Sequence, residues 1–277
     1  MGGSVLKQLS TQELRAEQLM ILDTIDAFCR EHNLRYFLHA GTLIGAVRHH
    51  GYIPWDDDID LGMPRADFDR FLAEFPQTGP FRVVHAGNTP GYYLASAKVI
   101  SERTVLIEQV VNPIPLGVFV DLFPLDAIPD SEAGLNRLNL SLIVPRNLLL
   151  LKNTLRSSSR SALKNAVLRA SQLLLRPIPT RFLLRRIDRR SRSCNGKPHC
   201  SRLASICAFT YGKREVFPGT DYKEAAELPF EGKLYSAPIG YHSVLSRMYG
   251  DYMQLPPAEK QVTHHDFTAY WRKDQTE

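Results

Sequence analysis

The sequence predicts an α/β (α+β) fold in which helices flank a mixed sheet, and three observations carry this prediction. Segments with strand-like alternation follow segments with helical spacing of apolar residues along the first half of the chain. Glycine and proline separate these segments. The chain has 277 residues, of which 44% are hydrophobic, and this suffices for one sizeable core with a subdomain.

The first helix is predicted over residues 11–32. Ser10 and Glu13 stand three positions apart, as in a capping box, and apolar residues from Leu14 to Cys29 recur at helical spacing. The later elements of this half are predicted at 36–38 (strand), 43–48 (helix), between Pro64 and Pro76 (helix), and at 81–86, 94–100, 104–111 and 117–123 (strands).

An aspartate cluster is the most informative feature of the chain; its members are Asp56, Asp57, Asp58 and Asp60. If the segment is a strand, its side chains alternate between faces, so Asp58 and Asp60 share a face with Asp56 while Ile59 enters the core. Carboxylates two residues apart have Cα atoms roughly 6.5–7 Å from each other. Their oxygens can converge on one hard cation, Mg²⁺ or Mn²⁺.

An acidic surface turn is the alternative interpretation of this cluster, because aspartate is common in turns. Apolar Ile59 and Leu61 interleave with the acidic residues, however, and a solvated turn does not need them. Pro54 and Trp55 directly precede the cluster, so the chain enters it extended. We therefore favour the metal site, since clustered like charges need neutralisation.

A possible phosphate-binding turn precedes the cluster at Gly41 and Thr42. Free backbone N–H groups at a strand-to-helix turn bind phosphate oxygens, although the pair also fits simple helix capping. With the aspartates about 15 residues later, the turn supplies the second half of a phosphoryl-transfer site. Asp121, in the strand-like run 117–123, is a candidate base or a strand-end carboxylate with an ordinary hydrogen bond.

Residues 133–205 differ sharply from the rest of the chain. From Arg137 to Arg192 there are 14 Lys/Arg and one acid, so this part has a net charge of +13. The net charge of the whole chain is +5, so the remainder carries −8. Leucine-rich stretches within it predict two or three amphipathic basic helices, broken at Pro177 and Pro179. Three interpretations stay open: a solvated face, docking on an anionic membrane, and nucleic-acid binding, which lacks interleaved aromatic residues here.

The N-terminal residues lack a long apolar run, so we expect no secretory leader, and no run reaches the ~18 apolar residues of a membrane-spanning helix. We expect a cytoplasmic protein, peripheral on the inner face of the membrane if the basic segment docks there. Cys194, Cys200 and Cys207 with His199 do not have the paired spacing of zinc ligands. Reduced thiols are therefore expected.

Residues 41–63, GTLIGAVRHHGYIPWDDDIDLGM, resemble the signature of the LicD family of phosphotransferases, which is related to the fukutin group. The resemblance continues in a second acidic segment at 117–126 and in a looser C-terminal block. That block comprises 230–232, Ala237-Pro238, 249–253, 255–257 and His264-His265. The two histidines are adjacent, so their side chains point to opposite sides and we do not expect them to ligate one metal.

The resemblance implies a nucleotidyltransferase-like fold and transfer of a phospho-alcohol from a CDP-activated donor to a glycan. The expected donor is CDP-choline, and the expected acceptor is a surface glycan such as lipopolysaccharide or teichoic acid, or its lipid-linked precursor. Asp58 and Asp60 would bind Mg²⁺ or Mn²⁺. Asp121 would be a third ligand or accept the hydroxyl proton, and Gly41 and Thr42 would hold the donor phosphates.

Three further residues are weaker candidates for donor binding. Arg48 or Lys98 would contact a phosphate, and Trp55 would stack on a base or box a quaternary ammonium. A purely structural role fits each of them equally well. Two other functions also stay open: transfer of the nucleotide itself, and a non-catalytic module that binds a membrane or a partner.

The expected division of the chain has three parts. Residues 1–132 form a nucleotidyltransferase-like catalytic core, 133–205 a basic helical insertion, and 206–277 a segment that completes the catalytic domain. A membrane-facing position is one of the interpretations left open for the insertion.

Overall fold

The computed structural model describes residues 6–108, 114, 116–154, 161–263 and 267–272. His264 and His265 lie outside the described residues. None of the helices in the described ranges combines the length and the apolar character that crossing a membrane requires.

Seven α-helices and eleven strands occur in the described ranges. The helices are α1 (Thr11–His32), α2 (Ala40–Arg48), α3 (Arg65–Glu74), α4 (Glu132–Asn153), α5 (Ala162–Leu174), α6 (Thr180–Ser191) and α7 (Tyr241–Tyr249). The strands are β1 (Phe37–Leu38), β2 (Asp60–Pro64), β3 (Phe81–Val84), β4 (Ala97–Ser101), β5 (Thr104–Glu108), β6 (Phe119–Ile128), β7 (Arg202–Ala204), β8 (Phe217–Pro218), β9 (Ala225–Phe230), β10 (Lys233–Pro238) and β11 (Phe267–Trp271).

The predicted α1 is confirmed to its ends. The Ser10 side chain accepts from the Glu13 N–H and the Glu13 side chain accepts from the Ser10 N–H, which is the predicted capping box. The helix ends at Asn33, whose backbone is left-handed at φ 52°. Ile21, Leu22 and other apolar residues of its inner face are buried in the main core.

The central sheet is mixed, with the order β1-β2-β6-β4-β3, and β7 and β8 extend it from the far end of β6. β2 and β6 run parallel, and the other pairs are antiparallel. The predicted mixed sheet flanked by helices is thus confirmed. β5 is the exception among the predicted strands, because it pairs with β11 in a separate two-stranded sheet.

The C-terminal segment packs on the first half of the chain. β10 lies against β1 and β9 against α2, and the Glu231 N–H donates to the carbonyl of His50 at 2.9 Å. The Glu231 side chain in turn accepts from the Tyr52 N–H at 3.0 Å. Residues of the C-terminal block that resembles the family therefore pack against α2 and the residues that follow it. The division of the chain into three parts stays a prediction.

The basic segment forms three helices, α4, α5 and α6, as its leucine pattern predicts. α4 and α6 pack on each other and on the end of β6, and Leu135, Leu142, Leu184 and Ile187 are buried in a second core there. α5 is more exposed, since Leu168 is its buried residue. The predicted break at Pro177 and Pro179 is confirmed, because α5 ends at Leu174 and α6 begins at Thr180. α4 accommodates Pro145 in its interior.

Candidate functional site

The aspartates line a cavity of about 430 Å³ at the edge of the central sheet. Asp56, Asp58, Asp60 and Asp121 contribute their side chains to its wall, together with Gly41 and Trp55. The sequence predicted that all of these residues belong to one site. What each of them binds is a separate question.

Adjacent parallel strands place Asp60 beside Asp121. Asp60 begins β2, Asp121 lies near the start of β6, and the two are direct partners in the register. Ile59 before Asp60 and Leu122 after Asp121 are fully buried, because side chains on consecutive residues of a strand point to opposite faces. The apolar residues anchor both strands in the core and leave the two carboxylates on the cavity side.

The strand was predicted to include Asp56 and Asp58, and this is wrong: β2 begins at Asp60. The preceding residues form an irregular loop whose carbonyls are held by α1. The Arg15 guanidinium donates to the Asp56 carbonyl at 2.8 Å, and the Gln18 amide donates to the Asp57 carbonyl at 2.7 Å. These long-range hydrogen bonds satisfy the backbone in place of a sheet partner.

Three of the carboxylates are close enough for one cation: Asp56, Asp57 and Asp58 each offer an oxygen within 4.8 Å of the others. Asp60 is not part of that group, but it lines the same cavity as Asp56 and Asp58. Burial and the neighbouring charges of Asp58 and Asp121 raise the pKa of Asp60 well above its ordinary value. A cation bound here would offset the repulsion that raises this pKa. Since all the ligand atoms on offer are carboxylate oxygens, the set fits Mg²⁺ or Mn²⁺.

Lys98 contacts Asp121 directly. On β4, Lys98 is the register partner of Asp121, and its ammonium donates to both carboxylate oxygens at 2.7 and 2.8 Å. The same ammonium lies 3.4 Å from the centroid of the Phe119 ring. The pair is buried, so Lys98 is committed to Asp121, whereas the sequence suggested a contact with a donor phosphate.

Gly41 lies against the aspartate loop. A Cβ on Gly41 would stand 2.7 Å from Oδ2 of Asp56, so the aspartate loop lies directly against the first turn of α2. Thr42 is buried one residue further, and its hydroxyl accepts from the Asp60 N–H at 2.8 Å. Thr42 thus fixes the start of β2 from beneath the cavity, although phosphate binding was expected of it.

Arg48 lies at the other end of α2, outside the cavity wall. Its guanidinium donates to the carbonyl of Tyr252 at 2.6 Å and to that of Gln254 at 3.2 Å. Arg48 therefore ties the C-terminal segment to α2. The structural interpretation of this residue agrees with its position better than the expected phosphate contact does.

Aromatic side chains line the same cavity. Trp55 stands on its wall with Tyr211 and Tyr249, and the two tyrosine rings meet edge-on with centroids 5.7 Å apart. Burial raises the pKa of Tyr249, so this hydroxyl stays protonated. Two other aromatic residues lie elsewhere: Tyr92 is buried in a separate core, and Trp271 is on β11.

Sequence reasoning missed two titratable residues of this cavity, His39 and Glu215. His39 precedes α2, burial lowers its pKa to about 4, and its Nδ1 makes no hydrogen bond within the described part of the chain. Glu215 is buried, and burial raises its pKa. Tertiary contacts bring Glu215 to the aspartates, so no motif in the sequence signals it. His39 stands two positions before Gly41, and this place beside the predicted turn is the signal that could have found it.

The cysteines lie away from the aspartates. Cys29 and Cys207 are buried, Cys194 and Cys200 are partly exposed, and all four are free thiols. Among the described residues, the group of acidic, histidine and cysteine side chains spaced for a metal ion is the one in the aspartate loop.

Comparisons with known proteins agree with this site. The family model described as LicD/FKTN/FKRP, nucleotidyltransferase domain, matches residues 33–130, which contain the four aspartates and Asp121. A lipopolysaccharide cholinephosphotransferase LicD of Haemophilus influenzae is 31% identical over 283 residues, covering 96% of this chain and 99% of that protein. An uncharacterized protein of Rickettsia typhi is 45% identical over 58 residues, 20% of this chain and 18% of that protein.

A short match reaches a human protein. The ribitol 5-phosphate transferase FKRP of Homo sapiens is 57% identical over 30 residues, which is 11% of this chain and 6% of that protein. The match therefore concerns a motif rather than the whole of the human protein.

Proposed function

Because the chain belongs to the LicD family, related to the fukutin group, and is a phosphotransferase, we propose that it is metal-dependent and moves phosphocholine. The donor is CDP-choline, the acceptor is a hydroxyl of a cell-surface glycan or its lipid-linked precursor, and CMP is released. One observation carries this proposal: Asp58, Asp60 and Asp121 come together at the edge of the sheet, in one cavity.

Mg²⁺ or Mn²⁺ held by Asp58 and Asp60 would neutralise charge on the donor diphosphate. The diphosphate then lies in the aspartate cavity, next to the aspartate loop. The first turn of α2, which Asp56 already approaches at Gly41, contributes backbone dipoles on the same side. Trp55, Tyr211 and Tyr249 give the quaternary ammonium of choline an aromatic surface.

Asp121 would take the proton of the acceptor hydroxyl, and this role is supported by its position in the walls of both the aspartate cavity and a larger cavity beside it. Lys98 holds this carboxylate in one orientation through its two contacts. The acceptor oxygen forms its bond to the phosphorus of the phosphocholine. The bond from that phosphorus to the bridging oxygen breaks, its electron pair leaves with CMP, and the hydroxyl proton passes to Asp121.

Transfer of the nucleotide is the second candidate, because the matching family model is described as a nucleotidyltransferase domain. The mass of the product separates the two candidates. The acceptor gains a phosphocholine group in one case and a cytidylyl group in the other.

We place the protein at the inner face of the cytoplasmic membrane, with its basic insertion on anionic lipid. Two features support this placement: the +13 charge between Arg137 and Arg192, and exposed apolar side chains on all three helices, among them Leu163 and Phe182. Binding to vesicles with anionic lipid that falls as salt is raised agrees with it. Equal binding to neutral vesicles contradicts it.

The test of the proposed function uses Asp58→Asn and Asp60→Asn in a transfer assay with CDP-choline, Mg²⁺ and a glycan acceptor. Each variant should lose at least about a hundredfold in kcat and keep its circular dichroism spectrum. Glu224→Gln is the control, because Glu224 is an exposed acid outside the cavity. Undiminished transfer by both site variants contradicts the proposal.

A further inference from the structure

A larger cavity of about 1040 Å³ adjoins the aspartate cavity. We call it the α4 chamber, because α4 forms one wall and residues 207–213 contribute to another. The two cavities share Asp121, Phe123, Ala208 and Thr210 in their walls. A molecule in the α4 chamber therefore reaches the same carboxylate that faces the donor.

One face of α4 lines the chamber. Its lining residues recur every three or four positions, which places them on a single helical face; they include Asn139, Ile143, Asn147, Leu150 and Asn153. The face thus alternates amide and aliphatic side chains. Amides exchange hydrogen bonds with sugar hydroxyls, and aliphatic groups pack on apolar surface.

The cations that line the chamber are already engaged. Lys98 contacts both oxygens of Asp121, and Lys213 pairs with Glu132 at 2.6 Å. Arg146 donates to backbone carbonyls of the neighbouring segment at 3.4 Å and lies over the ring of Phe209. A diphosphate therefore fits the aspartate cavity with its cation better, and the chamber suits an uncharged polar group.

The apolar surface continues from the chamber to the outside of α4. Leu150 lines the chamber and is 68% exposed. Leu140 and Val144, on neighbouring positions of the same helix, are 68% and 61% exposed. This surface belongs to the segment that carries +13, and such a surface favours the boundary of an anionic membrane.

We propose that the α4 chamber is the acceptor subsite and that its occupant is a lipid-linked glycan. The sugar lies against Asn147 and its neighbouring amides, with the reacting hydroxyl at Asp121. The lipid lies along the exposed apolar side chains of α4. This inference rests on the proposed function, and it adds the place and the amphiphilic class of the acceptor.

The test fills the chamber without touching the aspartates. Asn147→Trp places bulk in the chamber, and Asn136→Trp makes the same change at an exposed asparagine of α4 outside it. Each protein is titrated by calorimetry with octyl glucoside below its micellar concentration, with methyl glucoside, and separately with CDP-choline and Mg²⁺.

The wild type and Asn136→Trp should bind octyl glucoside at least about tenfold more tightly than methyl glucoside, because the alkyl chain buries apolar area. Asn147→Trp should lose at least about tenfold in octyl glucoside affinity and keep its affinity for CDP-choline. Unchanged octyl glucoside binding in Asn147→Trp overturns the proposal, and so does a selective loss of CDP-choline binding, which would place the donor in the chamber. Failure of the wild type to bind CDP-choline instead contradicts the proposed function and leaves the glycoside result standing.

Discussion

Replacing Lys98 with methionine leaves the carboxylate of Asp121 buried without its partner. Methionine has nearly the length of the lysine stem, so the change removes the ammonium and keeps most of the packing. The ammonium contacts both oxygens of Asp121 at 2.7 and 2.8 Å, and the side chains of the pair are only 7% and 11% exposed. Water therefore reaches the remaining charge poorly.

The expected cost follows from this burial. Removal of one partner of a buried ion pair lowers the free energy of unfolding by about 3–5 kcal/mol, whereas replacement of both partners by apolar groups is close to neutral. Lys98→Met should thus be destabilised by about 3–5 kcal/mol. Lys98→Met combined with Asp121→Leu should recover most of that loss, because no charge is left buried.

Urea denaturation in the presence of a chelator measures these free energies. Lys233→Met is the control, because Lys233 pairs with Asp23 at 2.6 Å but is 61% exposed, and it should change the free energy of unfolding by less than about 1 kcal/mol. A change below about 1 kcal/mol for Lys98→Met as well, or a double variant no more stable than that single variant, would refute the role of Lys98 as the buried partner of Asp121.

Two further predictions concern buried groups away from the aspartates. Arg65→Met should lower the free energy of unfolding by about 3–5 kcal/mol, because Arg65 donates to both oxygens of the fully buried Asp126 at 2.8 and 2.6 Å; a loss below 1 kcal/mol in urea denaturation contradicts this. Burial raises the pKa of the Cys207 thiol from about 9 to about 11. The folded state therefore keeps a proton that the unfolded state loses, so stability falls as pH rises from 9 to 11, by up to about 2.7 kcal/mol. Cys207→Ala should flatten this fall, and an equally steep fall in that variant contradicts the assignment.

Local patterns in the sequence predicted what local physics determines. The capping box at Ser10 and the helix that follows are confirmed to the residue, because both depend on neighbours in the chain. The alternation around Asp60 and around Asp121 predicted strands that present carboxylates on one side, and the two strands are neighbours. The fold class, predicted from the same kind of patterning, is confirmed, and so is the family, which the long motif at 41–63 indicated.

Contacts between distant residues decided the rest. The aspartate loop is not a strand because Arg15 and Gln18 hold its carbonyls from about 40 positions earlier in the chain. Lys98 lies opposite Asp121 in the antiparallel pair of β4 and β6, and the sequence alone does not show which residues of two strands are partners. Glu215 reaches the cavity through packing alone, so no spacing along the chain could have singled it out.

The product of the reaction tests the central claim most directly. The protein is incubated with CDP-choline, Mg²⁺ and a lipid-linked glycan, and both products are analysed by mass spectrometry, with Asp60→Asn as the inactive control. Phosphotransfer predicts an acceptor that has gained a phosphocholine group, together with one CMP per acceptor modified. An acceptor that has gained a cytidylyl group, or the same product from Asp60→Asn, would contradict it.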